Sequence, residues 1–264
     1  RLFIHCDEKL LAVSFAEPAE AAAGTVYFWP KKTTLDSYAK VFETKSIWIS
    51  YANTALYTVA HTLYVLALTI PCAYALSKKH LPGRVAITYY FFVTMFLSGG
   101  LIPSYMLNKS LGLVNTRWIM IVGMGVGYSN LTITRTYFQN SIPNEVYESA
   151  YIDGSGVFRT FFTIILPLSV PMMVTVFLFS FSWQWTDDFY VGLLNTGIET
   201  SNQLLVDLVG AVPPSLKLGY AGQSLYETAI RNTCGLMIIA PLVILYAFCQ
   251  NFLVQGIEHS GIAN

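Results

Sequence analysis

Charge is scarce in this chain. Asp, Glu, Lys and Arg make up 11% of its 264 residues, while hydrophobic residues make up 54%. Soluble domains carry about 25% charged residues, so a conventional wetted surface cannot be assembled from so few, and lipid is the solvent that fits the composition. Net charge is lacking too, because 15 basic residues balance 15 acidic ones. That excludes the clustered basic excess of a nucleic-acid binder. An aromatic content of 15% excludes a disordered chain. The four cysteines, Cys6, Cys72, Cys234 and Cys249, are spread too widely for a metal-ligand pattern, and apolar packing is their expected role. No G-x-x-x-x-G-K-[ST] phosphate loop occurs, so any ATP is bound by another chain. No serine, histidine and aspartate grouping lies in or near the apolar runs, which leaves an intramembrane hydrolase without its nucleophile and base. Residues 1–15 lack a signal-peptide layout, since Asp7, Glu8 and Lys9 interrupt the apolar run.

What remains is a series of long uncharged runs. The first, between Lys45 and Lys78, is long enough to cross a hydrocarbon layer about 30 Å thick. After the basic turn Lys78 to Arg84 comes Val85 to Leu107, ending in Gly99-Gly100 and Pro103. A shorter, glycine-rich run covers Trp118 to Thr134, a fourth Thr160 to Ser182 and a fifth Asn232 to Val254. The expected fold is all-α, a polytopic transmembrane bundle with about five complete spans, and residues 10–15 read as the last turns of a truncated or missing first helix. Three segments follow: residues 1–46 as an N-terminal helix end and external loop, 47–254 as the transmembrane domain, and 255–264 as a cytoplasmic tail. If the basic turn at 78–84 is cytoplasmic, alternation places residues 135–159 inside and 183–231 outside. The apolar stretch Gln203 to Val212 in that outer loop is too short to span and reads as a surface helix.

The inner loop holds the most structured sequence. Pro143 and Asn144 suit a helix start, Glu145 favours the positive end of the helix dipole, and Gly154 with Gly156 ends the helix about three turns later. Tyr147, Ala150 and Tyr151, at i, i+3 and i+4, are expected to share a docking face.

The spacing of Glu148-Ser149-Ala150, Gly154, Ile164 and Leu166-Pro167, with Asp153 before the glycine, resembles the EAA loop of permease subunits of bacterial ABC importers, in the carbohydrate branch of maltose-permease type. Further words agree over most of the chain: Ser14-Phe15, Trp29-Pro30, Tyr38, Asn53-Thr54 and Ala73-Tyr74-Ala75-Leu76-Ser77. Gly99-Gly100-Leu101-Ile102-Pro103 and Asn115-Thr116-Arg117-Trp118 are most similar to the subgroup handling complex oligosaccharides, including lipo-oligosaccharide and alginate importers. The chain departs from the motif at Ser149, where the family has alanine, and Cys6 to Lys9 fit poorly where the family's first helix should end.

The resemblance implies a multi-pass permease in the bacterial inner membrane, not an enzyme, that imports oligosaccharide delivered by an external solute-binding protein. It implies a second homologous permease and two ATPase subunits as partners, with ATP and Mg held in the latter and no cofactor here. It makes the loop a coupling helix in which Glu145, Tyr147, Glu148, Ser149, Ala150, Tyr151, Asp153, Gly154, Ile164, Leu166 and Pro167 meet the ATPase. The competing reading is a secondary transporter or channel without an ATPase.

Other residues admit two readings each. Gly123 and Gly127 make a helix-packing pair or a ligand contact, and small residues favour the former. His61 relays protons or hydrogen-bonds inside the bundle. Trp183, Gln184, Trp185, Asp187 and Asp188 form an interfacial anchor or, with Asn53, Asn130 and Thr132, a substrate pathway in which aromatic rings stack on sugar.

Overall fold

The computed structural model describes residues 11–26, 28–43, 45–97, 99–123, 125–187 and 219–261. Its elements are helices: α1 (Pro18–Ala23), α2 (Asp36–Glu43), α3 (Lys45–Ser77), α4 (Arg84–Phe96), α5 (Leu101–Ser110), α6 (Arg117–Val122), α7 (Tyr128–Asn140), α8 (Asn144–Ile152), α9 (Val157–Thr160), a π-helical turn (Phe161–Ile165), α10 (Leu166–Leu168), α11 (Val170–Thr186) and α12 (Gly219–Gly261). The fold is an all-α membrane bundle. The expected surface helix at 203–212 and the tail at 262–264 lie outside the described residues.

α3 is the uncharged run between Lys45 and Lys78 realised as one helix. Its inward stripe is polar: Ser50, Thr54, Thr58, His61, Thr62 and Thr69 are all buried, whereas Leu56, Val59, Leu63 and Leu68 are exposed. A helix with hydroxyls inside and leucines outside is arranged for lipid around it rather than water. Pro71 sits within the helix, a position that membrane helices tolerate.

The expected spans take different forms: among the described residues two are single helices, and two more are bent pairs that each pass as one span by length and composition. Only Ile47–Ser77 and Asn232–Gln250 are single helices long and apolar enough to cross, among the described residues. The second run is bent by 119° between α4 and α5, where Gly100 takes a left-handed φ of 82°, and the fourth by 78° at Ser169. The third run is two short helices parted at residues 123–127, so Gly123 and Gly127 do not share a helix face. Gly123 ends α6, where a Cβ would run into the Ile119 carbonyl, and Gly127 precedes α7. The last helix begins at Gly219, within the stretch expected to be loop.

The chain forms two compact units, residues 1–56 with 186–245 and residues 57–185 with 246–264. In the first, Ala12, Val13, Ala16, Ala21 and Val26 pack with Ala229, and Val41 and Ile47 with Ile230 and Cys234. Phe15 stacks on Trp29 and lies against Tyr38, and Ser14 Oγ is 3.0 Å from the Tyr38 hydroxyl. In the second, one core joins Ile70, Tyr74 and Leu76 of α3 to Leu131 and Phe138 of α7, Phe161 and Ile165 of the π-turn, and Met172 and Val176 of α11. His61 also belongs to this unit. Its Nδ1 donates to the Ile121 carbonyl at 2.9 Å, in the last turn of α6, where carbonyls have no partner further along the helix.

Candidate functional site: the α8 loop and the elements that hold it

α8 starts as its sequence dictates. Pro143 occupies the N-cap with a φ of −59°, and Glu145 lies in the first turn. The helix ends in a Schellman arrangement: the Gly154 amide donates to Tyr151 O at 3.0 Å and the Ser155 amide to Ala150 O at 2.9 Å. That closure needs a left-handed residue, and Gly154 supplies it with a φ of 69°. The next helix begins at once after Gly156.

The inward face of α8 comprises Val146, Tyr147 and Ala150. Ala150 is 2% exposed, and Val146 and Tyr147 pack on the core of the second unit. Tyr74 is the hub of this contact. Its ring lies 5.6 Å from that of Phe138, 6.4 Å from Tyr147 and 4.7 Å from Phe161, so α3, α7, α8 and the π-turn meet on one side chain. Lys78, just past the end of α3, places its ammonium 3.1 Å above the centre of the Tyr147 ring and 4.7 Å from that of Tyr74, a cation–π clamp. Burial lowers the Lys78 amine to about 8, and burial together with Tyr74 raises the Tyr147 phenol to about 12. Tyr147 therefore stays protonated through the physiological range.

Tyr147, Ala150 and Tyr151 differ in burial along this side of α8: Ala150 is buried, Tyr147 half-buried and Tyr151 83% exposed. Tyr151 joins Ile152, Val157 and Phe158, all more than 70% exposed, in an apolar ridge around the Gly154 turn. Glu145, Glu148, Ser149 and Asp153 are exposed beside it. Ile152, Val157 and Phe158 carry no motif letter and were not singled out from the sequence. Their signal is angular: Ile152 lies about 200° around the helix from buried Ala150, so an apolar residue there has no core to enter.

Beyond the ridge, Ile164 and Leu166 pack on the core, while Pro167 is exposed. The π-helical turn closes with the Leu166 amide bonded to the Phe161 carbonyl. It stands directly before Pro167, which lacks an amide proton and crowds the carbonyl four residues back, so a wider turn relieves that clash. At the bend that follows, Ser169 Oγ donates to Ile165 O at 2.7 Å and the Tyr137 hydroxyl to Leu168 O at 3.1 Å.

The residues expected along a substrate pathway divide between the two units. Asn130 Nδ2 donates to Ser180 Oγ at 3.1 Å. Gln184 and Trp185 are buried, with Trp185 stacked on Phe181, whereas Trp183 and Thr132 are exposed. The two tryptophans therefore differ in exposure. Asn53 and Asp187 are half-buried in the other unit, and Asp188 lies outside the described residues.

Comparison with known proteins gives a consistent set of relatives. Residues 46–259 match the family described as binding-protein-dependent transport system inner membrane component. Protein LplC of Bacillus subtilis (strain 168) is 33% identical over 94% of this chain and 85% of its own length. The polygalacturonan/rhamnogalacturonan transport system permease protein YtcP of the same organism is 32% identical over 96% and 89%. Among solved structures, a chain of a bacterial ABC transporter involved in the import of the acidic polysaccharide alginate superposes with a TM-score of 0.82 at 27% identity, covering 95% of this chain and 90% of that one.

Proposed function

Because the chain belongs to the family of binding-protein-dependent transport system inner membrane components, we propose that it carries oligosaccharide across a bacterial inner membrane and that α8 couples it to an ATPase. As a permease component of an ABC importer it is a transporter subunit, and ATP hydrolysis lies in separate subunits. Family membership also sets aside the secondary transporter without an ATPase. An oligosaccharide cargo is supported by relatives named for polygalacturonan, rhamnogalacturonan and alginate. ATP and Mg belong to the ATPase partners in this reading. A second permease, two ATPase subunits and an external binding protein complete the assembly, with residues 135–159 on the cytoplasmic side.

The observation that carries the coupling role is the ridge of Tyr151, Ile152, Val157 and Phe158. Large apolar groups held in the open on a rigid, glycine-closed turn are arranged to enter a cleft of another protein. Glu148, exposed on the same helix, is placed to meet a basic side chain there. Closure of the ATPase subunits on ATP would then push on α8, and the Tyr74 hub would carry the displacement into α3, α7 and the π-turn. We assign Asn53, Asn130, Thr132, Trp183, Gln184, Trp185, Asp187 and Asp188 to the substrate pathway, since aromatic rings and polar side chains are the groups that bind sugar.

The test uses the reconstituted complex. A Tyr151→Ser, Phe158→Ser variant is expected to lower substrate-stimulated ATP hydrolysis and uptake by about tenfold or more, the usual effect of removing two interface anchors. Unchanged uptake and hydrolysis would overturn the coupling role.

A further inference from the structure

Two arginines on α4 and α7 lie close together, and among the described residues no carboxylate lines the cavities they border. Arg84 opens α4, and Arg135 lies in the second half of α7. Arg135 Nη1 donates to Thr88 Oγ1 at 3.2 Å, and Thr88 Oγ1 donates to the Arg84 carbonyl at 2.8 Å. The Nε of each arginine is buried and has no protein acceptor. Arg84 is close enough to act against the positive charge of Arg135. Such a pair favours an anion, since a buried Nε proton without an acceptor keeps its desolvation cost and the two like charges repel.

The surroundings specify the anion. A cavity of about 420 Å³ has Arg84 and Arg135 at one end and Tyr89, Phe92 and Tyr128 along its length. On the other side of Arg84, a cavity of about 610 Å³ is lined by Lys78, Lys79 and His80. Among the described residues no Asp or Glu lines either one. A guanidinium fork matches the oxygens of a phosphate, and two forks with lysines nearby suit a group that is anionic at every physiological pH. Val85, Thr88, Tyr89 and Phe92 recur at helical spacing, so the apolar strip runs up α4 for about 10 Å from the arginines. A free phosphate has no use for that strip, whereas a phospholipid has an acyl chain to lay along it. Basic crevices between helices at the level of the headgroups are where anionic lipids bind.

We propose that Arg84 and Arg135 hold the phosphate of an anionic phospholipid, with an acyl chain lying along Tyr89, Phe92 and Tyr128. The assignment of this end to the cytoplasmic leaflet rests on the orientation proposed above; the site itself does not. Arg84 lines the second cavity together with Lys78 and Tyr147, so a lipid bound there borders the clamp on Tyr147.

The experiment uses the complete purified transporter in a neutral detergent, where leaflet orientation plays no part. Thermal unfolding is followed while phosphatidylglycerol, phosphatidylcholine or inorganic phosphate is added, and native mass spectrometry counts retained lipid. Phosphatidylglycerol is expected to raise the unfolding midpoint and phosphatidylcholine to leave it unchanged. Arg84→Gln with Arg135→Gln should weaken the phosphatidylglycerol effect by about tenfold or more, as loss of charge-assisted bonds does. Arg84→Lys with Arg135→Lys, which keeps the charge and loses the fork, should fall between. An equal midpoint shift from inorganic phosphate would overturn the lipid assignment, as would a shift from oligogalacturonate without one from phosphatidylglycerol, or an undiminished lipid effect in the glutamine variant. The ridge variant that tests coupling should keep the lipid shift, so the two proposals fail separately.

Discussion

Gly154 closes α8 with a φ of 69°, and nothing lies within 4 Å of where its Cβ would be. The position therefore selects glycine by backbone conformation alone, not by crowding. Gly154→Ala is expected to cost about 1–2 kcal/mol, and Gly154→Asn less, because asparagine enters the left-handed region more readily. Thermal unfolding of the purified complex checks the order, and an alanine variant as stable as the parent would show that the turn relaxes. Lys78 supplies a second test. Its amine titrates near 8 rather than 10.5 because burial disfavours the charge. Between those two values the unfolded chain still binds the proton that the folded chain has released, so this residue makes stability rise with pH across that window. The pH dependence of Lys78 acylation, read by mass spectrometry, should have its midpoint near 8 and move upward in Tyr147→Ala, which opens the site to water.

At the scale of elements, what was legible in the sequence was what short-range chemistry decides. Pro143, Asn144 and Gly154 bound α8 within a residue or two of the expected ends, because caps and left-handed turns are properties of a few consecutive residues. The burial of individual α8 residues was not legible, because three aromatic or small residues at helical spacing say nothing about which side the core lies on. Tyr74, Phe138 and Phe161 decide that, and they come from three other elements. The third run misled for a related reason. Its glycines suit a packed helix on composition, and only the Ile119 carbonyl at Gly123 and His61 at the Ile121 carbonyl reveal a helix end. His61→Leu leaves that carbonyl without its donor and is expected to destabilise the protein by about 1–3 kcal/mol. His61→Asn, which can still donate, should recover part of the loss and support uptake with the parent's pH profile. A changed profile in His61→Asn would revive the proton-relay reading.

For the whole molecule, the question is how a push on an exposed loop reaches helices in the membrane. The ridge and the hub use different side chains of α8: Tyr151 and Ile152 are exposed, while Tyr147 packs against Tyr74 and Ala150 is buried. Docking and transmission are thus carried by different side chains, and variants can part them. Tyr151→Ser with Phe158→Ser alters exposed atoms only, so the unfolding midpoint should match the parent while hydrolysis no longer responds to substrate. Tyr74→Ala removes a buried ring touching Phe138, Tyr147 and Phe161, at an expected cost of about 3–5 kcal/mol. Tyr74→Leu keeps most of the volume and should fold, yet it loses the ring contacts that tie α8 to α3 and the π-turn. In that variant the ATPase should still dock, and its basal hydrolysis should persist, while uptake per ATP hydrolysed falls. Equal losses of hydrolysis and uptake in Tyr74→Leu would mean that this ring holds the fold without transmitting the motion.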